Sequence, residues 1–447
     1  MNKNILYLLL AITLVASCRK DDDNAFDKSP DERLNETLAQ YQAVLTSSTT
    51  GWNANLVTGD GGNYRFYFSF NDKNRVQMYS DFDTATAGNL RESSYRLKAL
   101  QQPSLIFDTY SYIHILSDPD GSVNGGNYGQ GLKSDFEFAI DTATADSVLL
   151  TGRYNGTKLK LSKASAGDQA VWANKQVTNG VLNFRNFWKI DLYWKRLTYG
   201  GTQYELQVDT TIKSVTVSWG TGSTRQSVTR KYYFWANGVN FVDPVVNGSV
   251  SIPGFSITGF NAGTQVMSVT VNGTAATIAG VPPATTPLTL NPDVTTAAER
   301  WWQQSATSGN YYLSIDGWHS NGVDDAYNIK ALKNDTAKFY ALLYAAYPDG
   351  QDVLVNFYLD SADNELVNMN GSVVKKNKVG NSGLNNFTEL RLHPKSKEPW
   401  PATGAAALTR SQMFNTSGYY FVQSSSYTYD QVSIADPKTW ITWYWLF

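Results

Sequence analysis

Tyr64-Arg65-Phe66-Tyr67-Phe68-Ser69-Phe70 decides the fold class. Successive side chains of an extended chain point to opposite faces, so Tyr64, Phe66, Phe68 and Phe70 fall on one side. Asn71 to Asn74 supplies turn residues, and Arg75 to Tyr79 returns as a second strand. The same grammar continues through Leu105-Ile106-Phe107, Tyr112 to Leu116, Asp135 to Ile140, Ser147 to Thr151 and Lys158 to Leu161. Asn-Gly pairs punctuate the chain at Asn155-Gly156, Asn237-Gly238, Asn247-Gly248, Asn272-Gly273, Asn321-Gly322 and Asn370-Gly371. A type I′ hairpin turn needs positive φ twice, which Asn-Gly supplies at little cost. Between the pairs run alternating segments such as Val215-Thr216-Val217-Ser218-Trp219. The expected fold is mainly β: antiparallel barrel-like or sandwich domains with a short N-terminal helix.

That helix is announced upstream. Ser29-Pro30-Asp31-Glu32 combines a cap, Pro at the first helical position and Glu at the third. Leu34, Leu38, Tyr41 and Leu45 then mark one face, ending near Ser48. Downstream, Pro282, Pro283, Pro287 and Pro292 mark the best domain boundary within 279–292. A second helix is expected after it, with Thr296 as cap, Glu299 answering, and Trp301-Trp302 following. For residues 338–359, helix over Phe339 to Ala346 competes with a hairpin about Tyr347-Pro348-Asp349-Gly350; the hairpin is preferred. The chain divides as 1–17 signal peptide, 18–28 acidic tether, 29–165 helix plus β domain, 166–290 second β region and 291–447 C-terminal β-rich domain.

The first 23 residues speak to location. Lys3 gives a positive n-region, and Ile5 to Val15 is apolar but too short to span a bilayer. Ala16 and Ser17 are small, and Cys18, the one cysteine of 447 residues, follows. This predicts acylation of Cys18 in a lipoprotein; the alternative is an ordinary secretory signal with an incidental cysteine. Asp21, Asp22 and Asp23 follow Arg19 and Lys20, either as a surface-export signal or as a solvated tether.

Composition excludes several classes. Hydrophobic residues make up 42% and charged ones 17%, so the chain folds. A net charge of -2 argues against a nucleic-acid partner. With Cys18 carrying lipid, neither a disulfide nor a cysteine metal site is available. Three histidines, His114, His319 and His393, leave little for a histidine-based site.

Several stretches resemble a known group: Phe26-Asp27-Lys28-Ser29-Pro30, Arg33-Leu34-Asn35, Gly51-Trp52 and Gly61-Gly62-Asn63-Tyr64-Arg65-Phe66. So do Leu105-Ile106-Phe107-Asp108-Thr109-Tyr110, Ser117-Asp118-Pro119 and Gly125-Gly126-Asn127-Tyr128-Gly129. They resemble a Bacteroidota family of surface lipoproteins defined only as a domain of unknown function, clearly over about residues 18–165. The resemblance implies a gene neighbourhood with outer-membrane uptake systems of the starch-utilisation (SusC/SusD) type. It carries no site residue across.

Candidate sites follow from chemistry. Sugar rings stack on Trp and Tyr, so Trp301, Trp302, Tyr311, Tyr312, Trp318, Tyr427 and Tyr429 are the candidates for ligand stacking; core packing is the competing use. Asp118 to Asn124 has oxygen donors at alternate positions but places Gly fourth, not sixth as a calcium loop requires, so a Pro-Asp-Gly turn accounts for it. Asp316, His319, Asp324 and Asp325 cluster about Asn321-Gly322, again read as a turn. Asp135 and Glu137 share a predicted strand face, and glycoside hydrolysis needs carboxylates about 5 to 10 Å apart; such pairs recur by chance in β proteins. No H-E-x-x-H motif, phosphate loop or nucleophile elbow occurs, and Gly126 to Gly131 lacks a βαβ setting. Ile441, Trp443, Trp445 and Phe447 alternate as in a last outer-membrane barrel strand; a buried strand of a soluble domain is preferred.

The expected function is that of a non-catalytic, lipid-anchored outer-membrane protein exposed at the cell surface. It would bind glycan or peptide, or serve as an accessory, in a nutrient-uptake system, partnered by a SusC/SusD-type transporter and holding no cofactor or metal. An extracellular hydrolase and a protein-only scaffold are the alternatives.

Overall fold

The computed structural model describes residues 28–221, 224–282, 293–360, 362, 364–379 and 383–446. The signal segment, Cys18 and the acidic run lie outside the described residues, as does most of the Pro-rich boundary.

The N-terminal helix spans Pro30–Thr46, closed at its start by the reciprocal Ser29–Glu32 capping box. Its apolar face seats Leu45 on the first barrel, where the Trp52 indole donates to the Leu45 carbonyl at 2.8 Å. That barrel is closed and antiparallel, with strands β1 (Trp52–Val57), β2 (Asn63–Phe70), β3 (Arg75–Ser80), β4 (Arg91–Ala99), β5 (Pro103–Phe107), β6 (Glu137–Ala143), β7 (Ser147–Gly152) and β8 (Lys158–Lys163). Closure pairs β1 with β8, Ala54 opposite Leu161. Alternation puts Tyr64, Phe66, Phe68 and Phe70 inside, with Trp52, Phe107 and Phe138. The interior is thus a packed apolar core, not an aqueous lumen. Tyr112–Ile115 is a short helix, not a strand: the Ser111 amide donates to His114 Nδ1 at 3.1 Å and starts a turn.

Two helices, Ala166–Ala173 and Gln176–Phe184, then bridge to a second barrel. Trp172 stacks on Tyr79 of the first barrel and meets Trp235 of the second edge-on, which explains why Tyr67 and Tyr79, on the outer face of β2 and β3, are also covered. Phe184 plugs the second barrel against Tyr232, Phe234 and Phe255. Its strands are β9 (Lys195–Tyr199), β10 (Thr202–Asp209), β11 (Ser214–Trp219), β12 (Gln226–Trp235), β13 (Gly238–Asn247), β14 (Val250–Asn261), β15 (Val266–Val271) and β16 (Thr274–Gly280), closed by β16 on β9.

The third unit is a nine-stranded antiparallel sheet around helix Ala297–Ser308. Its strands are β17 (Tyr311–Ser314), β18 (Trp318–Ser320), β19 (Ala337–Ala345), β20 (Asp352–Asp360), β21 (Leu366–Val379), β22 (Leu384–Leu392), β23 (Tyr419–Gln423), β24 (Thr428–Ser433) and β25 (Thr439–Leu446). Pairing of β17 with β25 joins the sheet's ends. Residues 338–359 form the expected hairpin, β19 with β20.

Two local expectations are corrected. Asn370-Gly371 is not a turn but lies inside β21, beside a register shift, where a side chain at 371 would meet Val355 Cγ1 at 2.5 Å. Thr296 precedes the helix without a side-chain cap, and Glu299 pairs with Lys376 instead.

Candidate functional site

The second barrel and the C-terminal sheet meet on an apolar seam: Trp194, Val281 and Val294 against Tyr420, Val422 and Val432. Beside it run two adjoining cavities of about 360 and 350 Å³, both lined by Gln207, Asp209, Ser424 and Ser425. They form one groove between β10 and the β23–β24 turn. The first lobe is aromatic, with Trp188, Trp440 and Tyr444 on its walls. The second is polar, with Asp293, Arg300 and Ser227. Gln207 crosses the groove, its amide donating to the Gln423 carbonyl at 2.7 Å.

The first lobe concentrates buried charge. The Tyr193 hydroxyl donates to Asp430 Oδ2 at 2.7 Å, and the Thr442 hydroxyl to Oδ1 at 2.7 Å. Burial raises the Asp430 carboxyl, these hydroxyl donors opposing it. The Tyr193 phenol is pushed well above its ordinary value by burial and by Asp430. Lys195, at the start of β9, is 4% exposed, and burial pushes its ammonium down to about 7. Next to it Arg196 faces Glu205 at 3.5 Å; both are buried, and desolvation raises the Glu205 carboxyl despite its partner. Displaced ionisations gathered in a cleft mark a functional-site candidate.

The sequence candidates fall elsewhere. Trp301, Tyr312, Trp318 and Tyr429 are buried in the third core, Trp301 stacked on Tyr344 at 4.1 Å, so none presents a face to a ligand. Trp302 is half-buried and donates its indole N–H to Asp352 at 3.0 Å. Tyr311 and Tyr427 are exposed, and Tyr427 sits between Ser426 and Thr428 at the groove. Asp135 and Glu137 do line a common cavity of about 540 Å³ at one end of the first barrel. There Asp135 accepts the backbone N–H groups of Tyr154, Asn155 and Thr157, anchoring the β7–β8 hairpin. Asp120 caps a short turn of helix, Asp325 accepts from the amides of Ile329 and Lys330, and Asp316 accepts from Tyr444 at 2.6 Å. Among the described residues no group of three or more His, Cys, Asp or Glu is placed to hold a metal. Ile441, Trp443 and Trp445 point into the third core.

Sequence reasoning missed Trp188, Lys195, Glu205, Asp430 and Trp440. The available signal was the run Tyr193-Trp194-Lys195-Arg196, where two cations enter a strand amid aromatics.

Residues 22–259, more than half of the chain, match the family described as "Domain of unknown function (DUF4302)". The chain belongs to this family. The DUF4302 match covers the first barrel and runs into β14, so it includes Trp188, Lys195 and Glu205 but not Asp430 or Trp440. No curated protein matches the chain. Among solved structures, the chain is similar at 9% identity to an H. pylori beta clamp in complex with 5-chloroisatin, over 93% of this chain and 98% of that one, with a TM-score of 0.16. The DNA polymerase III subunit beta of Pseudomonas aeruginosa gives 9%, 93%, 98% and 0.12. The Caulobacter crescentus pol III beta gives 12%, 92%, 98% and 0.14. Scores this low carry no argument about fold or function. Among the described residues no helix is long and apolar enough to cross a membrane.

Proposed function

We propose that this DUF4302 protein is a surface-exposed outer-membrane lipoprotein, acylated at Cys18, that binds a nutrient ligand without turning it over. The observation that carries the reading is the groove between the second barrel and the C-terminal sheet. The exposed ring of Trp188, with Trp440 (itself stacked on His319 at 3.8 Å) also on the wall and hydroxyl and amide side chains beside them, suits a sugar ring, whose C–H face stacks while its hydroxyls hydrogen-bond. The signal-like start, the acidic run after Cys18 and the resemblance to uptake-associated lipoproteins support the location. A SusC/SusD-type transporter is the partner this reading expects.

The test is a binding screen of the purified full chain against polysaccharides and peptides, with product analysis on the same samples. Saturable binding without products, weakened at least tenfold by Trp188→Ala or Trp440→Ala, is the expected result. Absence of binding across the panel would sink the reading and favour a protein-only scaffold.

A second reading, an extracellular hydrolase, draws on Glu205 and Asp430. Both line the first lobe and both carboxyls are raised by burial, as a general acid requires. Products abolished by Glu205→Gln or Asp430→Asn would establish it.

A further inference from the structure

We infer that the first lobe of the groove takes an acidic sugar, its carboxylate paired with Lys195 and its ring face against Trp188. This rests on the binding reading above and names its ligand class.

An ammonium carries three donors. Lys195 Nζ makes a single hydrogen bond, to the Tyr193 carbonyl at 3.3 Å, and no carboxylate among the described residues lies within 4.0 Å of it. What surrounds the cation is the Phe187 ring at 5.3 Å and the Trp188 ring at 5.8 Å. Asp191 and Asp430 favour its charge from a distance, but neither forms an ion pair with it, so a buried cation whose near contacts are ring faces has room for a direct counter-ion.

The neighbouring acids cannot turn to fill that place without abandoning other partners. Asp430 accepts from Tyr193 and Thr442. Asp191 accepts from the Gln265 amide, and Glu205 faces Arg196. Tyr193 and Tyr444 give their hydroxyl protons to Asp430 and Asp316. Asp209 is engaged by the amides of Thr211 and Ile212. Glu205 keeps one oxygen without a hydrogen bond but is held opposite Arg196, and the other carboxylates around the lobe are engaged, whereas Lys195 has no carboxylate paired with it. The group that completes the lobe is therefore an anion brought by the ligand.

The rest of the lining selects the carrier. Trp188 is 49% exposed and offers a flat face beside Nζ. Ser424, Ser425 and Thr428 lie across the lobe at the right chemistry for sugar hydroxyls. In the second lobe Arg300 is already paired with Asp293, and Asp209 adds a further carboxyl, so that lobe does not call for a second anion and one acidic unit followed by neutral sugars fits better than a polyanion. Pairing with a carboxylate also favours the charged amine, which alone sits near 7. Binding should therefore take up a proton above that pH.

The experiment is an array of oligosaccharides arranged as matched pairs, each neutral member beside its uronic-acid analogue, probed with the full chain and followed by titration calorimetry at pH 6 and pH 8.5. The inference expects at least one acidic member to bind about tenfold or more tighter than its neutral pair, with the preference shrinking at pH 8.5. Lys195→Met should erase the preference while leaving a Trp188-dependent residue of neutral binding. Should that variant fail to fold, the wild-type pairwise preference and its pH dependence still decide. Equal or better binding of the neutral members overturns the inference while the binding reading stands. Capture of acidic peptides with no glycan bound overturns the sugar assignment, and no binding at all overturns both.

Discussion

Lys213 Nζ, on the second barrel, lies 2.9 Å from Asp81 Oδ1, on the first, and 2.9 Å from the Asp81 carbonyl. Both side chains are buried, and the cation also faces the Tyr64 and Phe234 rings. Asp81 does more than neutralise it. Its carboxylate accepts the Arg65 amide at 2.8 Å and the Phe234 amide at 2.9 Å, one from each barrel. With Asn63 donating to the Tyr232 carbonyl at 2.9 Å, this makes a polar staple between two closed barrels.

The staple is asymmetric, which gives an ordered prediction. Asp81→Ala strands a buried ammonium and two backbone N–H groups at once, an expected loss of about 3–5 kcal/mol. Lys213→Met leaves the carboxylate with its two amide donors and fills the space with an apolar chain, so the loss should be smaller. Urea unfolding of both variants checks the order. A Lys213→Met loss equal to that of Asp81→Ala would show that the ion pair, not the amide network, dominates.

Trp301 and Trp188 should separate stability from binding. Trp301 is fully buried, with Phe421 at 4.6 Å and Tyr312 at 5.2 Å between ring centres. Trp301→Ala should cost about 3–5 kcal/mol through the cavity it leaves. Trp188→Ala, at a half-exposed wall, should cost about 1 kcal/mol or less. Thermal melts alongside a ligand titration test this: the expected outcome is a large melting shift with Trp301→Ala and a large affinity change only with Trp188→Ala.

The strand grammar was legible because one face of β2 is buried and alternation is a property of the chain itself. Tyr64, Phe66, Phe68 and Phe70 could be assigned together, and the Ser29–Glu32 box could be read letter by letter. What alternation cannot say is that a helix covers the other face, as Trp172 does for Tyr67 and Tyr79. The bridging helix carried its own signal, a Ser165–Asp168 capping box, lost among strands on either side. Four of the seven stacking candidates, Trp301, Tyr312, Trp318 and Tyr429, are buried for the same reason: Trp301 and Tyr312 read as aromatic pairs with their neighbours, but the third core takes both. The groove was the least legible part. Tyr193 and Asp430 touch across 237 positions of sequence, and no local pattern announces that contact.

Lys195 makes stability depend on pH in a definite direction. Its ordinary value of 10.5 holds in the unfolded chain, and burial lowers it to about 7 in the fold. Between those values the unfolded state binds the extra proton, so stability rises with pH across the window. The penalty for burying the cation, roughly 3–5 kcal/mol, is in full force below about 7 and gone above about 10.5. Lys195→Met removes it. The variant should be more stable than wild type at pH 6, and the advantage should vanish by about pH 10.5. Chemical unfolding of both proteins at several pH values measures the difference directly; an advantage that stays constant with pH would place the ammonium in water.

Gly238 should tolerate no side chain. It opens β13 after Ala236 and Asn237, both at positive φ, and a Cβ there would lie 2.0 Å from the Phe255 carbonyl oxygen and 2.8 Å from Ser256 Cα. These are backbone atoms of the paired strand β14, Gly238 opposite Ser256, so no rotamer change relieves the clash. On the other side the helix Gln176–Phe184 approaches closely enough that a Cβ on Gly180 would sit 2.8 Å from the Gly238 carbonyl. Gly238→Ala must therefore part β13 from β14 or lift the helix whose Phe184 plugs the barrel, at an expected loss above about 2 kcal/mol. Gly259 supplies the control. It lies on β14, opposite Ser268 of β15, with open space around a built Cβ and no positive φ, so Gly259→Ala should be neutral or stabilise by about 0.4–1 kcal/mol through the unfolded chain. Thermal melts of the two variants decide it, and equal melting temperatures would show that the barrel can open at this corner.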